Sequence, residues 1–231
     1  MQDDRALTLE LDGAVRVRAA LRVKEVEALL TALAHLPTGR AGIRLHHAPG
    51  LRPLLSATGS IGRIAAARLG ERAKPVRAIL FDKTEETNWA LGWHQDRVVA
   101  VRERIEHPGY GPWTIKDGIP HVAPPYDLLA GMLTLRVHLD PVTTTNAPLL
   151  IAPGSHRLGR IAEADIEPVA DRFGTVRCLA DAGDVWIYST PILHASDAAA
   201  RPHRRRVLQL DFAACDLPGG LRWHGIGEVS H

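Results

Sequence analysis

The chain has 231 residues, 45% of them hydrophobic and 23% charged, with a formal net charge of +2. That balance fits a water-soluble protein able to bury a full core, and it excludes the bulk basic character of a nucleic-acid binder. No run approaches the roughly 18 apolar residues of a membrane span, and the opening MQDDRALTLELDG lacks the apolar stretch of a secretory leader. Two cysteines, Cys178 and Cys215, form no C-x-x-C pattern and fit a reducing, cytoplasmic compartment.

Along the chain, ALTLEL and AVRVRA alternate around Asp12-Gly13, which predicts a hairpin. In KEVEALLTALAHL, Val26, Leu29, Leu30, Leu33 and Leu36 recur at helical spacing before Pro37, which predicts a helix. GSIGRIAAARLGERA predicts a second, with Ile61, Ile64, Ala65 and Leu69 on one side. From Pro75 the pattern changes to short β-type runs: VRAILFDK, NWALGWHQD continuing through VVAV, MLTLRVHLD, APLLIAPG, TVRCLA, DVWIYST and RRVLQLDFA. About seven short strands with turn signals between them predict an antiparallel sandwich or barrel. Residues 102–130, with Pro108, Gly109, Gly111, Pro112, Pro120, Pro124 and Pro125, are too long for a simple connection and are expected to form a lid loop. Residues 158–173 are expected to be an exposed, partly acidic insertion. No repeat or linker divides the chain, so residues 1–231 are expected to form one domain, with an α/β part at 1–75 packing on a barrel core at 76–215.

Two His-x-Asp triplets occur, His94-Gln95-Asp96 and His138-Leu139-Asp140. With 12 His and 15 Asp in 231 residues, about one is expected by chance, so neither signifies alone. The chemistry that needs one is non-haem Fe(II), held on one face by two His and a carboxylate with the other positions open. Residues two apart on a strand project to the same side, and a second His can come from a neighbouring strand. PILHASD supplies His194, after the strand DVWIYST. Eleven residues on lies Arg205, whose planar fork matches the distal carboxylate of 2-oxoglutarate.

Taken together, ILFDKTEETNWALGWHQD, MLTLRVHLD, NAPLLIAPGSHRLGR and PILHASD followed by RRVLQLDF resemble the phytanoyl-CoA dioxygenase-like branch of the Fe(II)/2-oxoglutarate oxygenases. The resemblance runs from the helix near residue 25 to LPGGLRWH. It implies a mainly β fold with flanking helices around a double-stranded β-helix, a jelly-roll, cupin-like core of two facing sheets. It also implies that His94, Asp96 and His194 bind iron, which selects the first triplet, and that Arg205 holds 2-oxoglutarate with help from Ser196. The implied reaction consumes O2, releases succinate and CO2, and hydroxylates a small organic molecule. Related halogenases lack the carboxylate ligand, so Asp96 favours hydroxylation. Two other readings stay open: a non-catalytic cupin-like barrel that binds a small molecule, and a zinc hydrolase or isomerase on the same triad. A zinc hydrolase has no need of a carboxylate clamp at Arg205. Nothing in these residues selects a CoA ester as substrate.

Alternation places Arg205, Val207 and Gln209 on one strand face and Arg206, Leu208 and Leu210 on the other. Arg204 is read as solvated, and RPHRRR at 201–206 lacks the aromatic platform of a nucleic-acid site. In MLTLRVHLD, Thr134, Arg136 and His138 form a polar face. Arg136 is expected to meet a carboxylate of co-substrate or substrate, or to make a structural ion pair. His138 is read as a hydrogen-bonded strand-end histidine, with substrate contact as the alternative. Lys83, Asn88 and Trp93 flank the metal strand as pocket candidates. His121 is read as a surface histidine of the lid, with substrate contact again as the alternative. PGSHR, 153–157, is read as a structural turn, and the five Trp as core or lid packing.

Overall fold

A computed structural model describes residues 6–37, 40, 42–45 and 48–226; the acidic Asp3 and Asp4 of the opening segment lie outside them. The first third of the chain forms α1 (Leu9–Asp12), β1 (Ala14–Val17), α2 (Val23–Leu33), β2 (Gly42–Arg44), α3 (Arg52–Leu55), α4 (Gly62–Leu69) and β3 (Lys74–Lys83). There follow β4 (Leu91–His94), β5 (Val99–Ala100), β6 (Trp113–Lys116), β7 (Ile119–Val122), α5 (Tyr126–Ala130) and β8 (Leu133–His138). The remainder comprises β9 (Leu149–Ile151), α6 (Ile166–Phe173), β10 (Val176–Cys178), β11 (Val185–Ser189), β12 (His194–Ser196) and β13 (Arg205–Ala213).

The major sheet has the order β1-β11-β8-β13-β3-β2 and the minor sheet β10-β9-β12-β4, with every pairing antiparallel. Their inner faces meet where Ala14, Trp186 and Tyr188 of the major sheet pack on Leu149, Ile151 and Cys178 of the minor one. This is the double-stranded β-helix. Strict alternation sorts the side chains of the major sheet. Ala78, Leu80, Leu135, Val137, Leu208 and Leu210 point outward and bury against α2 and α4. Arg77, Ile79, Phe81, Lys83, Arg136, Arg205 and Gln209 point inward and line a cavity. Helix α2 follows its apolar spacing, burying Val26, Leu29 and Leu33.

Three expectations are corrected. The Asp12-Gly13 hairpin is absent. Thr8 Oγ1 accepts the Leu11 N–H at 3.2 Å, Asp12 accepts the Thr8 N–H at 2.7 Å, and Gly13 closes the turn at φ 74°. These caps favour α1 over a strand, so β1 pairs instead with distant β11, Ala14 opposite Tyr188. The expected loop 102–130 contains β6, β7 and α5, and β5-β7-β6 form a third sheet over a small core of Val99, Val101, Val122, Leu129 and Met132. Pro108, Pro112, Pro124 and Pro125 lie outside its strands, whereas Pro120 lies within the central strand β7, opposite Ile115. The expected insertion 158–173 ends in helix α6, which buries Ile166 and Ala170 beside Leu193 and Trp93. Among the described residues, no helix is long and apolar enough to cross a membrane.

Candidate functional site

Strands β4 and β12 pair so that His94 lies opposite His194. Asp96, two residues past His94, returns to the same side, and one ligand atom from each of the three lies within 4.8 Å of the others. It is the single such cluster of His, Cys and carboxylates found among the described residues. His94 Nδ1 donates to the Gly92 carbonyl at 2.8 Å and His194 Nδ1 to the Ile192 carbonyl at 2.9 Å. A carbonyl can only accept, so each ring places a proton on Nδ1 and turns Nε2 towards the cluster as the atom available to a metal. Burial, reinforced by His94 and opposed by Asp96, pulls the His194 value down to about 4, so its ring is neutral at pH 7. Burial pushes Asp96 up, but neighbouring positive charge, that of Arg77 first, outweighs it and holds the carboxyl below the usual carboxylate range. Two imidazoles and a carboxylate are a donor set suited to a divalent metal.

Two buried clamps fix this geometry. Arg77 donates to Asp96 Oδ2 at 3.0 Å and to Asp211, which also accepts from Thr134 at 3.1 Å. Gln95, facing away from the cluster, donates to the carbonyls of Gly159 at 3.1 Å and Pro191 at 2.8 Å and accepts the Ile161 N–H at 3.0 Å. It therefore ties the end of β4 to the segment leading into His194. The turn PGSHR does structural work of the expected kind: buried Ser155 donates to the Ala152 carbonyl at 2.7 Å and accepts the Leu193 N–H at 2.9 Å.

The cluster opens into a cavity of about 410 Å3. At one end are three buried cations. Lys83 donates to the carbonyls of Trp89 at 2.7 Å and Asp197 at 2.9 Å and to Ser196 Oγ at 3.2 Å, and lies 4.5 Å from the Trp89 ring centroid. Arg136 donates to Gln209 at 2.9 Å, and Arg205 to the Ala147 carbonyl. Nε of both arginines is buried without a partner. Burial, then repulsion from Arg205 and Arg136, draws Lys83 down to about 7; burial and Arg136 draw Arg205 down to about 9. Cations so placed, with orphaned donors, fit an anion with several acceptor oxygens. A larger cleft of about 790 Å3 lies elsewhere, between Arg52, Lys74, Asp216 and Trp223, and none of its walls belongs to the metal-capable cluster.

The expected faces of β13 are as observed. Arg205 and Gln209 line the cavity, whereas Arg206 pairs with Asp140 at 2.7 Å away from it. Among the described residues, His138-Leu139-Asp140 forms no metal-capable cluster. His138 departs from its reading: it is buried with neither nitrogen hydrogen-bonded, and burial with Arg136 and Arg205 lowers it to about 3. His121 is fully buried rather than at the surface, its Nδ1 held by the Ile119 carbonyl at 2.9 Å. Arg204 is half exposed but pairs with buried Asp82 at 2.8 Å. Of the flanking candidates, Lys83 lines the cavity. Asn88 instead makes a two-way bond with the Ala199 backbone, and Trp93 packs beside α6. Trp89, read as packing, forms part of the cavity wall. Both cysteines are free. Arg77 and Asp211 were missed, although each shares a period-2 face with a residue already singled out, Lys83 and Arg205. Gln95 gave no signal, because its partners are backbone carbonyls distant in sequence.

A family model described as Phytanoyl-CoA dioxygenase (PhyH) matches residues 9–207. No curated protein matches the sequence. Among solved structures, EctD from S. alaskensis with 2-oxoglutarate and 5-hydroxyectoine superposes with a TM-score of 0.64 at 20% identity, over 92% of this chain and 78% of that one. The epimerase SnoN in complex with Fe3+, alpha ketoglutarate and nogalamycin RO gives 0.66 at 18% identity, over 96% and 93%. AviO1 from Streptomyces viridochromogenes Tue57 gives 0.63 at 18%, over 91% and 94%.

Proposed function

This chain belongs to the phytanoyl-CoA dioxygenase family and is an iron- and 2-oxoglutarate-dependent oxygenase; we propose that His94, Asp96 and His194 hold its iron, that Arg205 holds its co-substrate, and that it hydroxylates a small organic molecule. The observation that carries this assignment is the joining, in one cavity, of a metal-capable His-Asp-His cluster with buried arginines whose Nε donors lack partners. The ligands printed for the EctD and SnoN structures, 5-hydroxyectoine and nogalamycin RO, support a small-molecule substrate. The two free thiols fit a reducing, cytoplasmic setting.

Bound iron with 2-oxoglutarate and O2 supplies the oxidation of a C–H bond, with succinate and CO2 released. The chain supplies placement and exclusion of water. His94 and His194 offer Nε2 because their Nδ1 protons are committed to backbone carbonyls. Asp96 offers an oxygen while Arg77 holds its other side and keeps it charged. Arg205 meets the distal carboxylate of 2-oxoglutarate with its free donor edge. Arg136 and Lys83 deepen the positive potential there, and Ser196 adds a hydroxyl. Phe81, Trp89 and Leu149 wall the cavity with apolar surface, which strengthens each charged contact inside.

The test is anaerobic addition of Fe(II) and 2-oxoglutarate. The expected result is one iron per chain and a metal-to-ligand charge-transfer absorbance, followed by succinate once O2 and ascorbate are admitted. Full retention of iron in His94→Ala and His194→Ala, with loss in His138→Ala, would refute the assignment.

A further inference from the structure

We propose that His138 is a further binding residue for the co-substrate: its imidazole N–H donates to the distal carboxylate that Arg205 clamps, and so helps select a diacid over a 2-oxo acid that lacks the second carboxyl group. The proposal rests on the oxygenase reading above.

Among the described residues, His138 is the one side chain with two buried polar atoms that lack a hydrogen-bond partner. It is 2% exposed, and both Nδ1 and Nε2 are unmet. Its main chain is fully engaged: the N–H donates to the Asp184 carbonyl at 3.0 Å, and the carbonyl accepts the Gly183 N–H at 2.8 Å. An imidazole buried in this way carries a desolvation cost that an apolar side chain would not, so packing alone does not account for it. Burial first, then Arg136 and Arg205, lower the ring to about 3. It is therefore neutral at pH 7, with one N–H and one lone pair.

The register of the major sheet places the ring. On the inner face, successive rows cross β8, β13 and β3. Thr134, Asp211 and Arg77 form the first, and Arg77 there holds Asp96 of the metal-capable cluster. Arg136, Gln209 and Ile79 form the second; His138, Val207 and Phe81 the third; Arg205 and Lys83 the fourth. His138 is thus diagonal to Arg205 across one strand pair, a Cβ separation of about 7 Å. Phe81, in the same row, lines the cavity, and the Arg136 guanidinium reaches across to lie 5.0 Å from its ring centroid. A molecule that extends from the metal to Arg205 comes level with His138 on the way.

Three neighbouring side chains therefore hold buried nitrogens that no described residue meets: Arg136 Nε, Arg205 Nε and the His138 ring. The carboxylates of the surrounding strands are all taken, Asp82 by Arg204, Asp140 by Arg206, Asp184 by Arg16 and Asp211 by Arg77. An incoming carboxylate brings two oxygens with several lone pairs, enough for the fork of Arg205 and the N–H of His138 together. A methyl group in its place would leave every one of these donors unpaired, which is how a polar pocket rejects an analogue lacking the polar group.

The experiment titrates the Fe(II)-loaded protein, without O2, with 2-oxoglutarate and with 2-oxopentanoate, which chelates iron in the same way but ends in a methyl group. The charge-transfer absorbance reads both. His138→Leu and the unbranched His138→Met are expected to weaken 2-oxoglutarate about 10- to 100-fold and to leave iron and 2-oxopentanoate affinity unchanged. The Tm of the same variants without metal or co-substrate is expected to equal or exceed that of the wild type, because two unmet nitrogens are gone. His138→Asn and His138→Gln set an amide N–H near the positions of Nδ1 and Nε2, and one of them is expected to recover most of the lost affinity. Unchanged 2-oxoglutarate affinity in His138→Leu and His138→Met, or equal weakening of both acids, would overturn the proposal. So would a lowered Tm with the preference between the acids intact, which marks a packing residue, or amide variants no better than leucine. Failure of the wild type to form the charge-transfer absorbance would count against the oxygenase reading instead, and is read before any variant is compared.

Discussion

Arg77 donates to Asp96 Oδ2 at 3.0 Å, and the bond crosses from the major sheet to the end of the minor sheet's strand β4. Through its other nitrogen the same guanidinium holds Asp211, one strand over on β13. The metal-capable carboxylate is thus oriented by a cation that itself cannot move without leaving a second buried carboxylate exposed to its own desolvation cost.

Arg77→Met is accordingly expected to destabilise the protein by about 3–5 kcal/mol, the usual cost of a buried charge left unpaired. Arg77→Met combined with Asp211→Asn should recover most of that loss while iron affinity stays reduced, because Asp96 remains without its holder. Urea unfolding and iron titration measure the two quantities. Unchanged iron affinity in Arg77→Met would show that Asp96 is positioned without it.

Arg205→Ala is expected to raise the 2-oxoglutarate concentration needed for half-saturation by about 30- to 1000-fold, from roughly 2 to 4 kcal/mol for a bidentate charged contact in a dry pocket. Arg205→Lys should restore part of this, since an ammonium lacks the planar fork. Arg204→Ala and Arg206→Ala should leave the affinity alone, their partners Asp82 and Asp140 being on the opposite strand face. Titration of the charge-transfer absorbance distinguishes the three; a large loss in Arg206→Ala would place the clamp on the wrong face.

Lys83 gives a pH dependence with a definite sign. Burial, with Arg205 and Arg136, lowers its value to about 7, against an ordinary lysine near 10.5. Between those pH values the unfolded chain binds the proton and the native chain does not, so this group's contribution to stability rises with pH. The metal-free protein should therefore gain stability relative to Lys83→Met as pH climbs from about 7 towards 10, as chemical unfolding at several pH values would record. A difference that stays flat, or that shrinks with pH, would mean that the native ammonium is not destabilised.

The segment 102–130 should resist proteolysis in the metal-free protein. Its strands are paired, Thr114 opposite His121, and Val122, Leu129 and Met132 are buried beneath them. Limited digestion with fragment mapping checks this; early cleavage within 113–122 would show the sheet to be loosely held.

How much of this was legible in the sequence follows from range. Strand identity, the inward face of β13, the facing of Arg205 against Arg206 and the helix α2 are local properties, set by side-chain alternation or helical spacing, and they could be read from a few residues at a time. The members of the metal-capable cluster, His94, Asp96 and His194, were singled out by resemblance, since the His-x-Asp spacing occurs twice. Tertiary structure alone decided what depends on contacts between distant segments. The run ALTLEL looked like a strand because its alternation was visible, whereas the caps that turn it into α1, and the distant partner β11 that claims β1, were not. Pro108-Gly109 and Gly118 fall at turns, but Pro120 falls inside β7, and whether the stretches of 102–130 pair is decided by the third sheet and the apolar core beneath it. Arg77 and Gln95 acquire their significance only when β3 and the 159–161 segment are brought against the metal-capable cluster. Periodicity tells which way a side chain points; packing across sheets decides what it meets, and for buried charges that meeting determines whether the charge is compensated or left open for a ligand.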